Sequence, residues 1–179
     1  MDTKRILGIV GSLRSGSYNR LALRAAQELL PDGAELELIE LHGIPVFNQD
    51  DELSPPAAVL EFKRRIAAAD AILFATPEYN YSIPGALKNA IDWASRPSGK
   101  SAWLGKPAAL LGASTGSLGT ARAQYHLRQI LVAQDMPVVS QPEVMIGFAE
   151  QRFDSDGRLV DESSRKLIRA LLAGLARLA

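Results

Sequence analysis

Ile6-Leu7-Gly8-Ile9-Val10-Gly11-Ser12-Leu13-Arg14-Ser15-Gly16-Ser17-Tyr18-Asn19-Arg20 is the stretch from which the fold can be read. Its first five residues form a short, largely apolar run closed by a glycine, as a buried parallel strand does. A turn of small and hydroxyl residues follows, and helical periodicity takes over from Asn19 to Leu30. Strand, small-residue turn, helix is a phosphate cradle by composition. Glycines let the backbone turn tightly, the free amides at a helix start point toward an anion, and the helix dipole favours negative charge there. Ser12, Ser17 and Asn19 add neutral donors, and Arg14 offers a planar fork to phosphate oxygens. The same residues would also make an ordinary capped helix start with solvated hydroxyls. Their place after the first strand, with an arginine among them, favours the cradle.

Outward from this segment the pattern repeats. Apolar runs recur at Leu36 to Leu41, Ala71 to Ala75 and Ala108 to Leu111, with a weaker one at Val138 to Val144. Helical periodicity fills Pro56 to Ala69, Ile83 to Ala94, Thr120 to Gln134 and Glu162 to Leu178. Strand followed by helix, five times over, predicts a single α/β domain spanning residues 1–179: a three-layer α/β/α sandwich on a five-stranded parallel sheet. The flavodoxin-like order 2-1-3-4-5 is the natural arrangement. Ligands in such sheets bind beyond the carboxyl ends of the strands where the winding reverses, so chemistry is expected in the loops after strands one, three and four. The longest loop, His42 to Pro55, either moves or crosses the sheet edge.

Composition narrows the function. With 47% apolar residues in 179, the chain supports one substantial core. Cysteine is absent, which excludes disulfides and thiol chemistry, so any redox role needs a cofactor. Twenty basic residues balance twenty acidic ones, which leaves no basic footprint for nucleic acid. No run approaches the roughly 20 apolar residues of a membrane span and no signal-peptide pattern stands at the start, so a cytoplasmic protein without a membrane partner is expected.

Better-known phosphate loops fit poorly. Gly11 to Gly16 imitates the opening of a P-loop, but Ser17 and Tyr18 stand where its Lys and Ser/Thr belong. The dinucleotide fingerprint is missing its second glycine, so a monophosphate fits better than a pyrophosphate. After strand three comes Thr76-Pro77-Glu78-Tyr79-Asn80-Tyr81-Ser82-Ile83-Pro84-Gly85-Ala86-Leu87-Lys88-Asn89-Ala90-Ile91-Asp92-Trp93. Two prolines stiffen its ends, and two tyrosines flanking an asparagine suit a planar heteroaromatic ring. Tyr79 and Tyr81 would equally serve a subunit interface, and Trp93 reads as core.

These two segments together resemble the NADPH-dependent FMN reductase family, whose members include chromate reductase-like, quinone reductase-like and azoreductase-like enzymes. The likeness runs on through Ala121-Arg122-Ala123-Gln124-Tyr125-His126-Leu127-Arg128. It implies an FMN cofactor, NADPH or NADH as hydride donor, and a small electron acceptor: a quinone, chromate, an azo compound or free flavin. Ser12, Arg14, Ser17 and Asn19 would hold the FMN phosphate. Pro77, Glu78, Tyr79, Asn80 and Tyr81 would wrap the isoalloxazine, largely through the backbone, and Ser114 and Gly116 would meet its other edge. Thr115 and Ser117 depart from the glycine-rich form usual there. The resemblance also implies a homodimer or homotetramer in which Tyr81 meets another subunit.

A flavin reductase needs few catalytic side chains, because the cofactor carries the hard chemistry, so no acid, base or nucleophile is named, and ping-pong turnover in one cleft is expected. A flavodoxin-type electron carrier is the alternative, opposed by the neutral net charge and by Arg14. A pure binding protein is opposed by the intact loops. No metal is expected: His42 and His126 lack carboxylate partners at ligand spacing, and Asp154-Ser155-Asp156-Gly157 lacks the rest of a calcium ladder and reads as a turn.

Overall fold

A computed structural model describes residues 3–179. Its elements run β1 (Lys4–Val10), α1 (Tyr18–Glu28), β2 (Ala34–Glu40), a 3-10 turn (Gln49–Asp51), α2 (Ala57–Ala68), β3 (Ala71–Ala75), α3 (Gly85–Ala94), β4 (Ala108–Ala113), α4 (Ala121–Val132), β5 (Val144–Ile146), α5 (Ala149–Arg152) and α6 (Glu162–Leu178). The sheet is parallel throughout, in the order β2-β1-β3-β4-β5.

Successive side chains of a strand point to opposite faces, and β1 separates two cores on that principle. Ile6 and Val10 join Leu23 and Ala26 of α1 and Leu171 and Leu175 of α6. Leu7 and Ile9 join Phe62 of α2, Leu87 and Ile91 of α3 and Leu127 of α4. Helices α1 and α6, with the short α5, therefore cover one face and α2, α3 and α4 the other, and the central strands β3 and β4 are buried from end to end. The edge strand β2 differs: Glu35 and Glu37 alternate with Leu36 and Leu38 before Ile39 and Glu40 end the strand, and Glu37 pairs with Arg65 of α2.

The fifth strand departs from the expected span. Val138 makes a single bridge to Ala108, the chain then leaves the sheet, and pairing resumes only at Val144. Pro142 lies in the gap and cannot donate to a ladder. Of the two readings for the loop from His42 to Pro55, the structure has it fastened to α3. Asn89 Oδ1 accepts from Phe47 N at 2.7 Å, while Asn89 Nδ2 and Trp93 Nε1 both donate to Pro45 O at 2.8 Å. Trp93 is core, 1% exposed. No helix among the described residues is long and apolar enough to cross a membrane.

Candidate active site

The carboxyl ends of β1, β3 and β4 open onto one cleft. Gly11 N donates to Ala75 O at 2.8 Å, and a Cβ on Gly11 would lie 2.7 Å from that oxygen, so glycine is what lets the chain leave the sheet so close to its neighbour. Ser12 Oγ then accepts from Arg14 N at 3.3 Å. Ser17 caps α1: its Oγ accepts from Arg20 N at 3.3 Å and its carbonyl from Leu21 N at 3.1 Å. The amides of Tyr18 and Asn19 are left without an acceptor among the described residues.

The cleft, about 160 Å³, brings together most of the residues expected from sequence. Ser12, Arg14, Ser17 and Asn19 line it from the first loop, Pro77, Glu78 and Tyr79 from the second, and Ser114 from the third. Tyr18, Ala113 and Thr115, given no cofactor contact from sequence, complete the wall. A more apolar hollow of about 290 Å³ adjoins it, reaching Leu13 and the start of α3 at Pro84, Gly85 and Ala86; Ser12, Arg14 and Tyr79 border both.

Asn80, Tyr81 and Gly116 stand off the wall. Tyr79 and Ser82 exchange both main-chain hydrogen bonds, at 2.9 and 3.0 Å, and the two residues between them have φ of 50° and 69°, a type I′ turn. This puts Asn80 and Tyr81 at an exposed hairpin tip beyond the cleft. Asparagine tolerates positive φ, but a bulky aromatic seldom adopts it. The Arg122 guanidinium lies 3.7 Å over the Tyr81 ring and compensates. Gly116 is turned toward β5, its carbonyl accepting from Phe148 N at 3.2 Å.

Glu78 fastens this hairpin to α4. Thr120, at the N-cap, makes no capping bond; Glu78 Oε2 instead accepts from Arg122 N at 3.0 Å and Ala123 N at 3.1 Å, and Oε1 pairs with the Arg122 guanidinium. Burial pushes the Glu78 carboxyl up, but the Arg122 guanidinium and the two amides outweigh it and hold the group below its ordinary range. His126 Nδ1 lies 3.0 Å from Ser82 Oγ, a further tie. On the opposite side Ser114 N donates to Ile146 O, and Ser114 O accepts from Ala149 N, both at 3.0 Å.

Among the described residues, the buried polar ones are Ser12, Ser17, Asn19, Thr76, Thr120 and Gln124, all gathered at this edge of the sheet. Gln124 Nε2 donates to Thr120 Oγ1 at 3.1 Å and to Val144 O at 2.9 Å. The cradle offers amides, hydroxyls and one guanidinium with no lysine, a donor set that fits a single phosphate.

The family model for NADPH-dependent FMN reductase matches residues 4–151. The chain belongs to that family. An NAD(P)H-dependent FMN reductase of Pseudomonas aeruginosa is 57% identical over 175 residues, covering 97% of this chain and 94% of the relative. A 2-hydroxy-1,4-benzoquinone reductase of a Burkholderia species is 43% identical over 168 residues, covering 94% and 92%. Among solved structures, the flavoenzyme NAD(P)H:(acceptor) oxidoreductase FerB of Paracoccus denitrificans superimposes with a TM-score of 0.90 at 38% identity, covering 98% of this chain and 97% of that one. The stretch matched by the family model includes all three loops that build the cleft.

Proposed function

We propose that this reductase family member is an FMN-dependent NAD(P)H oxidoreductase that passes two electrons to a small acceptor, with quinones foremost. The observation that carries the reading is the cleft: a cradle of free amides and hydroxyls that continues, past Arg14 and Tyr79, into a more apolar hollow.

Ser12, Arg14 and Ser17, with the amides of Tyr18 and Asn19, hold the phosphate. The main chain from Pro77 to Tyr79 supports the ring on one side, and Ser114 with Thr115 supports it on the other. FMN, when bound, supplies the two-electron chemistry. The protein binds and orients, so no acid, base or nucleophile is assigned to a side chain. Of the wall amides, Tyr79 N and Ser114 N are engaged by Ser82 O and Ile146 O, which leaves those of Glu78 and Thr115 to stabilise negative charge developing on the ring.

Donor and acceptor use the same mouth in turn, which gives ping-pong kinetics. Asn80 and Tyr81, at the hairpin tip, border that mouth and govern which acceptors enter; Gly116 shapes the opposite loop. A quinone is favoured because a flat, weakly polar molecule suits the hollow; chromate, azo compounds and free flavin are the further acceptors to test. Exposed Tyr81, Leu118 and Tyr125 around the start of α4 support a homodimer or homotetramer. The site of action is the cytoplasm, where NAD(P)H is plentiful.

The test is a visible spectrum of protein loaded with FMN and desalted, followed by anaerobic NADPH or NADH. Retained flavin that bleaches within seconds and recolours on adding benzoquinone supports the reading. Retained flavin that does not bleach would make the protein a carrier, and flavin lost on desalting would remove the assignment.

A further inference from the structure

Asn19 is 2% exposed and sits where the first loop meets β4. Its amide pairs with both main-chain polar groups of one residue: Nδ2 donates to Ala113 O at 3.0 Å, and Oδ1 accepts from Ala113 N at 2.9 Å. The reason lies in the sheet. In a parallel ladder the N–H and C=O of one residue face the same neighbouring strand. On the β5 side the ladder is continued by Ser114 N, which donates to Ile146 O. Ala113 therefore faces β3, but β3 ends at Ala75, opposite Leu111, and its last contribution is Thr76 N donating to Leu111 O at 3.0 Å. Beyond that point β4 has no strand on its β3 side, and one asparagine side chain does what the missing strand would do. A buried peptide group left unpaired is costly, so the contact is demanding in geometry.

We propose that Asn19 is a positioning residue of the flavin cleft: its side chain ties the phosphate loop to the end of β4 and sets the distance between the cradle and the Ser114–Thr115 wall, while its amide group leaves the phosphate to others. Ser17 and Tyr18 precede it in the cradle, and Ser114 follows Ala113 in the wall. A shift of either loop is therefore passed to the other through two hydrogen bonds. The proposal rests on the reading that FMN places its phosphate in the first loop.

FMN and riboflavin differ only in the phosphate, so the ratio of their affinities separates holding the phosphate from setting the gap. Apoprotein of the parent, Asn19→Ala, Ser12→Ala and Arg14→Ala is titrated with both flavins by fluorescence quenching. Asn19→Ala should weaken both flavins by a common factor of about ten, leaving the ratio within about twofold of the parent, a loss typical of one or two hydrogen bonds. Arg14→Ala should lower the ratio about tenfold or more, as loss of a charge-assisted bond to phosphate requires. A ratio that collapses in Asn19→Ala as in Arg14→Ala overturns the assignment, and so does unchanged affinity for both flavins. A ratio unmoved in Ser12→Ala and Arg14→Ala would instead refute the phosphate reading. The tie itself is then judged on the parent protein without flavin, which also serves if Asn19→Ala fails to fold. There the side-chain amide protons of Asn19 should be protected from exchange, and exchange at the rate of an exposed asparagine would refute the tie.

Discussion

Replacing Glu78 by glutamine should destabilise the protein by about 2–3 kcal/mol near neutral pH, and the structure allows that figure to be built up. Glu78 Oε2 serves the two first-turn amides of α4, while Oε1 faces the Arg122 guanidinium. Glutamine can place its carbonyl at the Oε2 position and keep both amide bonds, but as neutral bonds, each about 1 kcal/mol weaker than its charge-assisted form. Its NH2 then points at the guanidinium, and the lost ion pair, with Arg122 partly exposed, adds about 0.5–1 kcal/mol. Alanine removes the acceptors altogether and should cost about 3–5 kcal/mol. For a chain of this size, 2–3 kcal/mol corresponds to a fall of roughly 4–12 °C in Tm. The pH dependence gives the sharper check. Because the folded carboxyl is held below its unfolded value, its contribution is full above the unfolded pKa and fades as pH falls through the folded one. Urea unfolding of parent and Glu78→Gln at pH 7 and at successively lower pH should therefore show a gap that narrows with acidification. A gap under 0.5 kcal/mol at pH 7, or one that ignores pH, would refute the reasoning.

Gly112→Ala would place a Cβ 1.9 Å from Thr120 Oγ1 and 2.6 Å from Thr76 O, so a loss of about 3 kcal/mol or outright failure to fold is expected, read from the urea midpoint or soluble yield. Asp161 caps α6, accepting from Ser164 N at 2.8 Å and Ser164 Oγ at 2.7 Å; Asp161→Ala should cost about 1–2 kcal/mol by urea unfolding. The Ser164 hydroxyl and amide and the nearby Arg152 together outweigh burial and hold that carboxyl low, so this cost too should shrink as pH falls through the folded pKa. Trp103→Phe should cost about 2–4 kcal/mol by thermal unfolding, since Trp103 is fully buried and its Nε1 donates to Ile91 O at 3.0 Å.

Much of the fold was legible because buried parallel strands are short apolar runs, and β1, β3 and β4 are near-pure examples. The fifth was misplaced because Val138 and Val144 belong to two separate contacts with β4, and an apolar run read along the chain cannot show where it leaves the sheet. At the site, small, hydroxyl and aromatic residues after the right strands pointed to the cleft. Their division of labour was not legible, because it depends on partners far along the chain. Glu78 reads as a loop acid until Arg122, 44 residues on, shows it to be the cap of α4. Asn19 reads as a donor to a ligand until Ala113, 94 residues on, takes its amide. The type I′ turn was hidden because tyrosine fills a position usually given to glycine.

The glutamates of β2 bear on how copies of this chain can meet. An open sheet edge is a template on which a second molecule could add its own strand and continue the sheet. Glu35, Glu37 and Glu40 stud one free edge, Glu37 and Glu40 held by Arg65 and Arg20, so a second strand laid there would have to accommodate a row of charged side chains; at the other edge β5 is only three residues long and offers little to pair with. Growth of a continuous sheet across molecules is thereby discouraged at both borders. Any contact between copies would then fall to helices and loops rather than to a shared ladder of main-chain hydrogen bonds.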